Sequence, residues 1–386
     1  FDGFNNLKNL FLYNNPLLYI TDDLGLMDNV EVFVENYPIC CRVRNQICTP
    51  SEQIDSKQKC VRIISYMFVR VLVWFIVVFI ILGNILCYFV HNFFEKKKSG
   101  QSFLLINLSF CDFSLGIYLM TIAVSDLYYG ANYPAYEYYW RSGVACTMGA
   151  WMSVTSTLVS TCVICMVAAE RFVAIRFPLQ HKSFGSKSLI IKLSFVSWLF
   201  GLSYSTVFLS VILFDYNTFL PNSICLIFKF GNLLTTTDYM GLGIVIFLTF
   251  AIVFISVMYL SMAIFLYNLS FVGGKEKNKK NLRTVSIRSI LIVCSDMLSW
   301  LPVIFLNIIG MSDLYLIPDY IPQLVSILIM PLNSALNPIL YTLISHNVQT
   351  KLKMIWKCRA NNDQKKSYSY KCSRNVTTKT INPRST

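Results

Sequence analysis

The chain has 386 residues, of which 55% are hydrophobic, 15% aromatic and only 14% charged, and its formal net charge is +13. This amount of charge is too small to cover the surface of a soluble protein of this size, and the mean hydropathy of +0.54 agrees with that. The composition therefore excludes an ordinary soluble domain and predicts a membrane protein with several spans.

Seven apolar segments are long enough to cross about 30 Å of hydrocarbon as helices. In chain order, span one to span seven cover residues 68–91, 102–124, 144–169, 189–214, 241–267, 289–310 and 320–344. The sequence thus predicts an all-α membrane protein, a bundle of seven transmembrane helices. A polar segment precedes the bundle and a basic tail follows it.

The basic residues predict the orientation of the chain, because the cytoplasmic ends of spans carry an excess of Lys and Arg. With the C-terminus inside, 24 of the 33 Lys and Arg residues lie in cytoplasmic stretches and 8 lie outside. The predicted N-terminus is therefore extracellular. Since the basic residues follow the span ends, they indicate contact with lipid headgroups rather than with nucleic acid.

The stretch LKNLFLYNNPL, residues 7–17, fits the leucine-rich-repeat pattern L-x-x-L-x-L-x-x-N-x-L. Its fixed positions are filled by Leu7, Leu10, Leu12, Asn15 and Leu17. A weaker copy follows twenty residues later, with Met27, Val30 and Val32 in the first three apolar places. Because two units cannot bury a core alone, residues 1–38 are interpreted as the end of a truncated repeat array. A chance amphipathic stretch is the alternative.

Four cysteines lie between these repeats and span one, within residues 39–66: Cys40, Cys41, Cys48 and Cys60. In an extracellular segment this density predicts a hinge stapled by disulfides, with three pairings left open. A zinc site is the competing interpretation, but no histidine is near and an oxidising compartment disfavours it.

Each span except the fifth carries a short motif. In order these are Gly83-Asn84, the Asp112 of NLSFCD, Cys146 with Glu170-Arg171-Phe172, Trp198, Ser299-Trp300-Leu301-Pro302 and Asn337-Pro338-Ile339-Leu340-Tyr341. One motif alone is weak evidence. Together, over residues 68–358, they resemble the rhodopsin-like G-protein-coupled receptors. The resemblance implies a receptor in the plasma membrane that activates a heterotrimeric G protein.

The repeat segment, the adjacent cysteines, residues 126–146 and SDMLSWLP resemble the leucine-rich-repeat hormone receptors. RVLVWFIVVFIILGNI and ICCRVRNQICTP look closest to the relaxin type, which implies a secreted polypeptide hormone captured by the repeats and relayed through the hinge. A glycoprotein-hormone-type receptor is the alternative within the group. An ion-coupled secondary transporter is the alternative from another class. No catalytic motif is found in the sequence, so we do not expect an enzyme.

The resemblance also implies a disulfide between Cys146, at the start of span three, and Cys225, in the loop 215–240. Two unpaired thiols are the alternative. A bridge there would pin the loop across the outer end of the bundle and reduce its disorder.

Five polar residues are expected to converge in mid-bundle: Asp112, Ser160, Asn333, Ser334 and Asn337. By resemblance they form a pocket for an allosteric sodium ion, and oxygen ligands around one carboxylate suit such a hard cation. A water-bridged cluster without sodium is the open alternative. No other metal and no required cofactor is expected.

Asp296 lies inside the apolar stretch ILIVCSDMLSWLPVIF, six residues before Pro302. A carboxylate at mid-bilayer depth costs about 2.5–3.5 kcal/mol on insertion scales. We expect it to face Asn333 and Asn337 of span seven. It is either polar glue between two helices or a latch that is broken and remade when span six moves, and we favour the latch.

At the cytoplasmic end of span three, Arg171 is expected to pair with Glu170 at rest and to contact the G protein when released. The usual acidic partner in span six is absent, since Leu282 and Arg283 occupy that region. The other residues to which the resemblance assigns a part in activation are Tyr259, Asp296, Trp300, Pro302, Asn337, Pro338 and Tyr341.

Residues 67–345 are assigned to the seven-helix domain and residues 346–386 to a short cytoplasmic helix and a tail. Within them, residues 346–357 fit an amphipathic surface helix, and Cys358 at its end is a palmitoylation candidate or an unmodified cysteine. The Ser and Thr residues of the tail suit a receptor kinase and arrestin as further partners.

Overall fold

A computed structural model of the chain describes residues 8–12, 31–34, 48–50, 62–94, 100–177, 186–214, 223–226, 236–271, 294–310 and 320–340. The end of the helix bundle that carries Cys146 is called the outer end below, and the end that carries Arg171 the inner end, in line with the predicted orientation. Several predicted features lie outside the described residues: Leu7, Asn15, Leu17, Cys40, Cys41, Cys60, Tyr341, Cys358 and the helix 346–357.

The predicted spans form helices in the described part of the chain. The helices are α1 (Met67–Phe89), α2 (Gly100–Tyr129), α3 (Tyr133–Ser142), α4 (Val144–Arg176), α5 (Lys187–Phe214), α6 (Thr236–Phe271), α7 (Cys294–Gly310), α8 (Tyr320–Leu324) and α9 (Leu332–Pro338). Among the described residues, α1, α2, α4, α5 and α6 are each long and apolar enough to cross a membrane. They correspond to spans one to five, α7 corresponds to span six, and α8 and α9 belong to span seven.

Span seven is not one continuous α-helix. A π-helical segment, Val325–Ile329, separates α8 from α9, and the Met330 N–H donates to the Val325 carbonyl at 2.8 Å. In a π segment the hydrogen-bonded residues are five positions apart rather than the four of an α-helix, so the segment changes the rotation of the helix that follows it. The polar residues of α9 are therefore turned relative to those of α8.

The short outer helix α3 was not predicted from the sequence. It is joined to α2 by a single 3₁₀ turn, Gly130–Asn132, in which Gly130 has a φ of +53°. Trp140 is buried, and its indole N–H donates to the Ser223 carbonyl at 2.7 Å. This long-range contact holds the helix in place, and periodicity in a ten-residue segment cannot reveal it.

The helix α4 lies at the centre of the bundle and packs against α2, α5 and α6. Small residues allow the close approach, as is usual between membrane helices. A Cβ atom added at Gly201 of α5 would lie 2.5 Å from Cγ2 of Val159 in α4. The buried apolar side chains form an outer cluster around Ile122 and Trp300 and an inner cluster around Val163 and Tyr259.

The described part of the outer segment forms a three-stranded parallel sheet in the order β1 (Asn9–Leu12), β2 (Glu31–Val34) and β3 (Cys48–Pro50). The register pairs Leu10 with Val32 and Leu12 with Val34, an offset of 22 residues. The predicted offset of twenty residues is wrong by two. Because side chains in a strand alternate with a period of two, either offset keeps the apolar residues on one face, and the pattern could not distinguish them.

The third strand begins at Cys48, inside residues 39–66, which were assigned to the hinge. It pairs in parallel with β2, with Val32 opposite Cys48. The sheet therefore continues into the cysteine-rich segment.

Helices α1 and α9 meet at a glycine. A Cβ atom at Gly83 would lie 2.9 Å from Cγ of Pro338, and a proline ring cannot swing away as a flexible side chain would. Beside it, the Asn84 side-chain N–H donates to the Ser334 carbonyl at 3.2 Å. Gly83 thus permits the contact that joins span one to span seven.

Gly83→Ala is expected to destabilise the purified protein in detergent by about 1–3 kcal/mol, because the methyl group overpacks a rigid contact. Gly149→Ala is the matched control, since its Cβ would meet Tyr118 at an ordinary 3.4 Å. Thermal unfolding midpoints of both variants test this, and equal midpoints would contradict it.

Candidate functional site

Two buried carboxylates define the middle of the bundle. Asp112 of α2 and Asp296 of α7 are 2% and 4% exposed, and both lie in helices that are mostly apolar. Membrane interiors offer no water to such groups, so their partners must come from neighbouring helices. For both carboxylates those partners come from α9.

Asp112 accepts two short hydrogen bonds from α9. The Ser334 hydroxyl donates to Oδ1 at 2.7 Å, and the Asn337 side-chain amide donates to Oδ2 at 2.8 Å. Each carboxylate oxygen thus has its own hydrogen-bond donor. These two bonds join span two to span seven.

Asp296 is bonded to a different residue of α9. The Asn333 side-chain amide donates to Oδ1 of Asp296 at 2.8 Å, and the Ser295 hydroxyl donates to Oδ1 of Asn333 at 3.3 Å. Both ends of the Asn333 amide therefore contact α7. The predicted contact between Asp296 and span seven is present, and Asn333 is its partner.

Two of the five predicted sodium ligands have their described hydrogen bonds with residues other than Asp112. Asn333 is bonded to Asp296, and the Ser160 hydroxyl donates to the Thr157 carbonyl of its own helix at 3.1 Å. A serine inside a helix commonly bonds back to a carbonyl one turn earlier, so its position on the correct face did not guarantee that it faces the pocket.

Two buried amide oxygens beside Asp112 have no hydrogen-bond partner among the described residues. They are Oδ1 of Asn337 and Oδ1 of Asn84. The Asn84 amide N–H groups donate to the Ile80 and Ser334 carbonyls, at 2.9 and 3.2 Å. A buried amide oxygen without a donor is unfavourable, so a cation or a water molecule beside Asp112 fits this donor set.

Trp300 and Pro302 lie in α7, one to two turns further out than Asp296. Trp300 is buried in the outer apolar cluster and Pro302 is half-buried. Tyr259 of α6 lies in the inner cluster.

At the inner end, Arg171 and Glu170 form the predicted ion pair, with 3.6 Å between Nε and Oε2. A second arginine joins α4 to α6, because the Arg176 guanidinium lies 4.5 Å from the centre of the Phe265 ring. The Phe177 ring lies 6.0 Å away from the same guanidinium. The sequence analysis did not predict this cation–π contact, because it considered a partner only for Arg171.

At the outer end, Cys146 and Cys225 form the disulfide that the resemblance implied, with Cα atoms 5.4 Å apart. Ile224, Cys225 and Leu226 are almost fully buried, and the Tyr118 hydroxyl donates to the Ile224 carbonyl at 2.6 Å. The described part of this loop is thus folded down into the bundle.

The residues just before α1 also enter the bundle, which the sequence did not reveal. In the juxtamembrane segment, residues 62–66, Ile63 and Ile64 are 0% and 1% exposed. The Ile64 N–H donates to Oδ1 of Asp126 at 3.0 Å. The guanidinium groups of Arg62 and Arg70 lie 3.6 and 3.8 Å from Oδ2 of the same aspartate. Asp126, at the end of α2, therefore fixes this segment to the bundle.

Residues 83–341 match the family described as 7 transmembrane receptor (rhodopsin family). The match covers more than half of the chain. The chain belongs to the rhodopsin family of seven-transmembrane receptors. Membership places this receptor with signalling proteins rather than with transporters or enzymes, and its seven spans make it a multi-pass membrane protein.

The receptor is similar to G-protein coupled receptor GRL101 of Lymnaea stagnalis, with 29% identity over 83% of this chain and 28% of that protein. It is 26% identical to the follicle-stimulating hormone receptor of Equus asinus over 81% of this chain and 44% of that protein. It is 25% identical to the human follicle-stimulating hormone receptor, over 81% of this chain and 43% of that protein. The chain thus spans less than half the length of these relatives.

Asp296→Ala and Asn333→Ala are each expected to raise ligand-free signalling about threefold to thirtyfold at equal surface expression. A hydrogen bond between membrane helices contributes about 0.6–2 kcal/mol. The Asn333–Asp296 bond is present in the same structure as the Arg171–Glu170 ion pair, so its loss should destabilise that resting arrangement. Nucleotide exchange on G protein in cell membranes measures the effect.

The double variant should signal no more than the stronger single variant, because both changes remove one contact. Asn307→Ala is the control, since the Asn307 side chain donates within its own helix, to the Val303 carbonyl. Normal ligand-free signalling in both single variants would rule out the latch.

Proposed function

We propose that this receptor is a G-protein-coupled receptor for a secreted polypeptide hormone of the relaxin type. Its extracellular leucine-rich repeats capture the hormone, and the cysteine-rich hinge passes that event to the helix bundle. The observation that supports this proposal most directly is the burial of Ile63 and Ile64. These residues follow the hinge in the chain and pack among the outer ends of the helices.

The outer sheet supports the repeat assignment. Its three short strands are parallel and adjacent in chain order, which is how consecutive repeats pair in an array. The 22-residue offset between β1 and β2 falls within the 20–29 residues usual for one leucine-rich repeat.

The relatives support a polypeptide ligand, because two of them are named as receptors for follicle-stimulating hormone. That name favours the glycoprotein-hormone alternative as much as the relaxin type. The relaxin type is proposed for the likeness of residues 70–85 and of the hinge stretch ICCRVRNQICTP to that group.

Activation requires that the hormone stabilise one arrangement of the bundle over another. At rest, Asn333 holds Asp296, Glu170 holds Arg171, and Arg176 joins α4 to α6. Breaking the Asp296 contact frees α7 to move and opens an inner cleft, where the released Arg171 contacts the G protein. Tyr259 and Tyr341 then turn toward that arginine.

The proposed location is the plasma membrane, with the N-terminus outside and the C-terminus inside. The basic inner loops and tail support this orientation. A receptor kinase and arrestin are proposed as partners of the tail, and Cys358 is proposed to be palmitoylated at the end of the inner surface helix.

A sodium ion beside Asp112 is proposed to favour the resting state. Asp112, Ser334 and Oδ1 of Asn337, which has no hydrogen-bond partner among the described residues, would hold it, and their oxygens suit a hard cation. Ser160 and Asn333 are engaged elsewhere, so this proposal rests on fewer ligands than the sequence suggested.

Replacing sodium by N-methylglucamine at constant ionic strength is expected to raise ligand-free signalling about fivefold, the lower end of common allosteric couplings. Asp112→Asn should abolish the sodium effect, whereas Ser160→Ala should retain it. An unchanged signal in the wild-type receptor on sodium removal would favour the water-bridged cluster instead.

The full-length receptor, expressed with its complete extracellular part, is expected to respond to a relaxin-type peptide with a change in cyclic AMP or calcium. Arg171→Ala should abolish the response at equal surface expression and equal hormone binding. A response only to a glycoprotein-hormone heterodimer would move the receptor to the alternative type. A surface-expressed receptor that responds to neither hormone contradicts the proposed ligand class.

A further inference from the structure

Gln323 of α8 joins three separate elements through a single side chain. Its Oε1 accepts hydrogen bonds from the backbone N–H and the hydroxyl of Ser65, at 3.3 and 2.9 Å. Its Nε2 donates to the Ile63 carbonyl at 3.1 Å and to the Ser223 hydroxyl at 3.3 Å. The juxtamembrane segment, the disulfide-bonded outer loop and span seven therefore meet at this amide.

The orientation of the amide is determined by its partners. A backbone N–H can only donate, so Ser65 N must face the oxygen, and a carbonyl can only accept, so Ile63 O must face the nitrogen. The Ser223 hydroxyl also donates to the Ile63 carbonyl, at 3.3 Å, which closes a ring of hydrogen bonds. Any shift of residues 63–65 along α8 would break several of these bonds together.

We propose that Gln323 is the positioning residue through which the juxtamembrane segment holds span seven in its resting position. The proposal rests on the function proposed above, in which this segment relays hormone binding, and it names where the relay enters the bundle. Asp126 fixes the juxtamembrane segment to span two. Among the described residues, Gln323 provides the polar contact between this segment and span seven.

The continuation of span seven leads from Gln323 to the centre of the bundle. Two residues after Gln323 the π segment Val325–Ile329 begins, and Asn333 follows in α9, bonded to Asp296. A π segment can be added to or removed from a helix by a local change of hydrogen bonding, which rotates the flanking turns against each other. Release of Gln323 would thus let α8 turn, and the rotation reaches Asn333 through this segment.

The test uses the full-length receptor in cell membranes. Gln323→Met keeps the length of the side chain and removes all four hydrogen bonds. Ser65→Ala removes the hydroxyl bond, and Ser65→Thr restores a hydroxyl. Ser210→Ala is the matched control, because the exposed Ser210 hydroxyl bonds only to its own helix, at the Val207 carbonyl.

Two readouts are taken from each variant. The first is ligand-free nucleotide exchange on G protein at equal surface expression. The second is the emission of a fluorophore on Cys294, which is exposed at the inner end of α7, in a background where Cys358 and Cys372 are replaced by Ser. The second readout reports movement of span six whichever G protein or hormone the receptor uses.

Gln323→Met is expected to raise ligand-free exchange about threefold to tenfold and to shift the Cys294 emission, as the loss of one or two net hydrogen bonds would. Ser65→Ala should give a smaller change in the same direction. Ser65→Thr and Ser210→Ala should change neither the exchange nor the emission. The double variant of Ser65→Ala with Gln323→Met should match Gln323→Met alone.

An unchanged Cys294 emission in Gln323→Met, a decrease in exchange, or additive effects in the double variant would overturn the proposal. If Asp296→Ala raises exchange and Gln323→Met does not, only the role of Gln323 fails. If Gln323→Met shifts the emission but the full-length receptor responds to no polypeptide hormone, the positioning role of Gln323 stands and the proposed hormone function fails.

Discussion

The structure depends on one constraint: a polar group inside a membrane must find its partner on another helix. Asp112 and Asp296 are buried in the middle of the bundle, and both accept hydrogen bonds from the short helix α9, Asp112 from Ser334 and Asn337 and Asp296 from Asn333. Because the two carboxylates lie on spans two and six, span seven becomes the element that ties those helices together. A change in the position of span seven therefore affects both carboxylates.

The outer end uses the same span. Gln323 binds the juxtamembrane segment and the loop that Cys225 anchors, so a segment outside the membrane and the polar centre are linked along one helix. That helix is interrupted by a π segment and by Pro331, which follows it. Irregular backbone of this kind gives a helix more than one arrangement of similar energy, as a signalling element requires. At the inner end, the described partners of Arg171 and Arg176 lie on α4 and α6.

The spans, their order and the residues that matter in them could be predicted, because hydrophobic length and the cost of an intramembrane carboxylate are local properties. The contact of Asp296 with Asn333 was expected from the position of Asp296 in span six together with the family resemblance, whereas Asn337 bonds Asp112 instead. Periodicity failed for the repeat offset, since shifts of 20 and 22 residues keep the same strand face. The contact between the Arg176 guanidinium and the Phe265 ring was not predicted, because no aromatic ring was considered as the partner of a cation.

The sequence by itself determined that this is a seven-span membrane protein with two intramembrane carboxylates and an arginine at the inner end of span three. Only the tertiary structure decided which donor serves which carboxylate, and that Ile63 and Ile64 belong to the bundle rather than to a free linker. The physical reason is distance along the chain. The bond of Asn333 to Asp296 joins residues 37 apart and that of Gln323 to Ile63 joins residues 260 apart, so both depend on how whole helices rotate against each other.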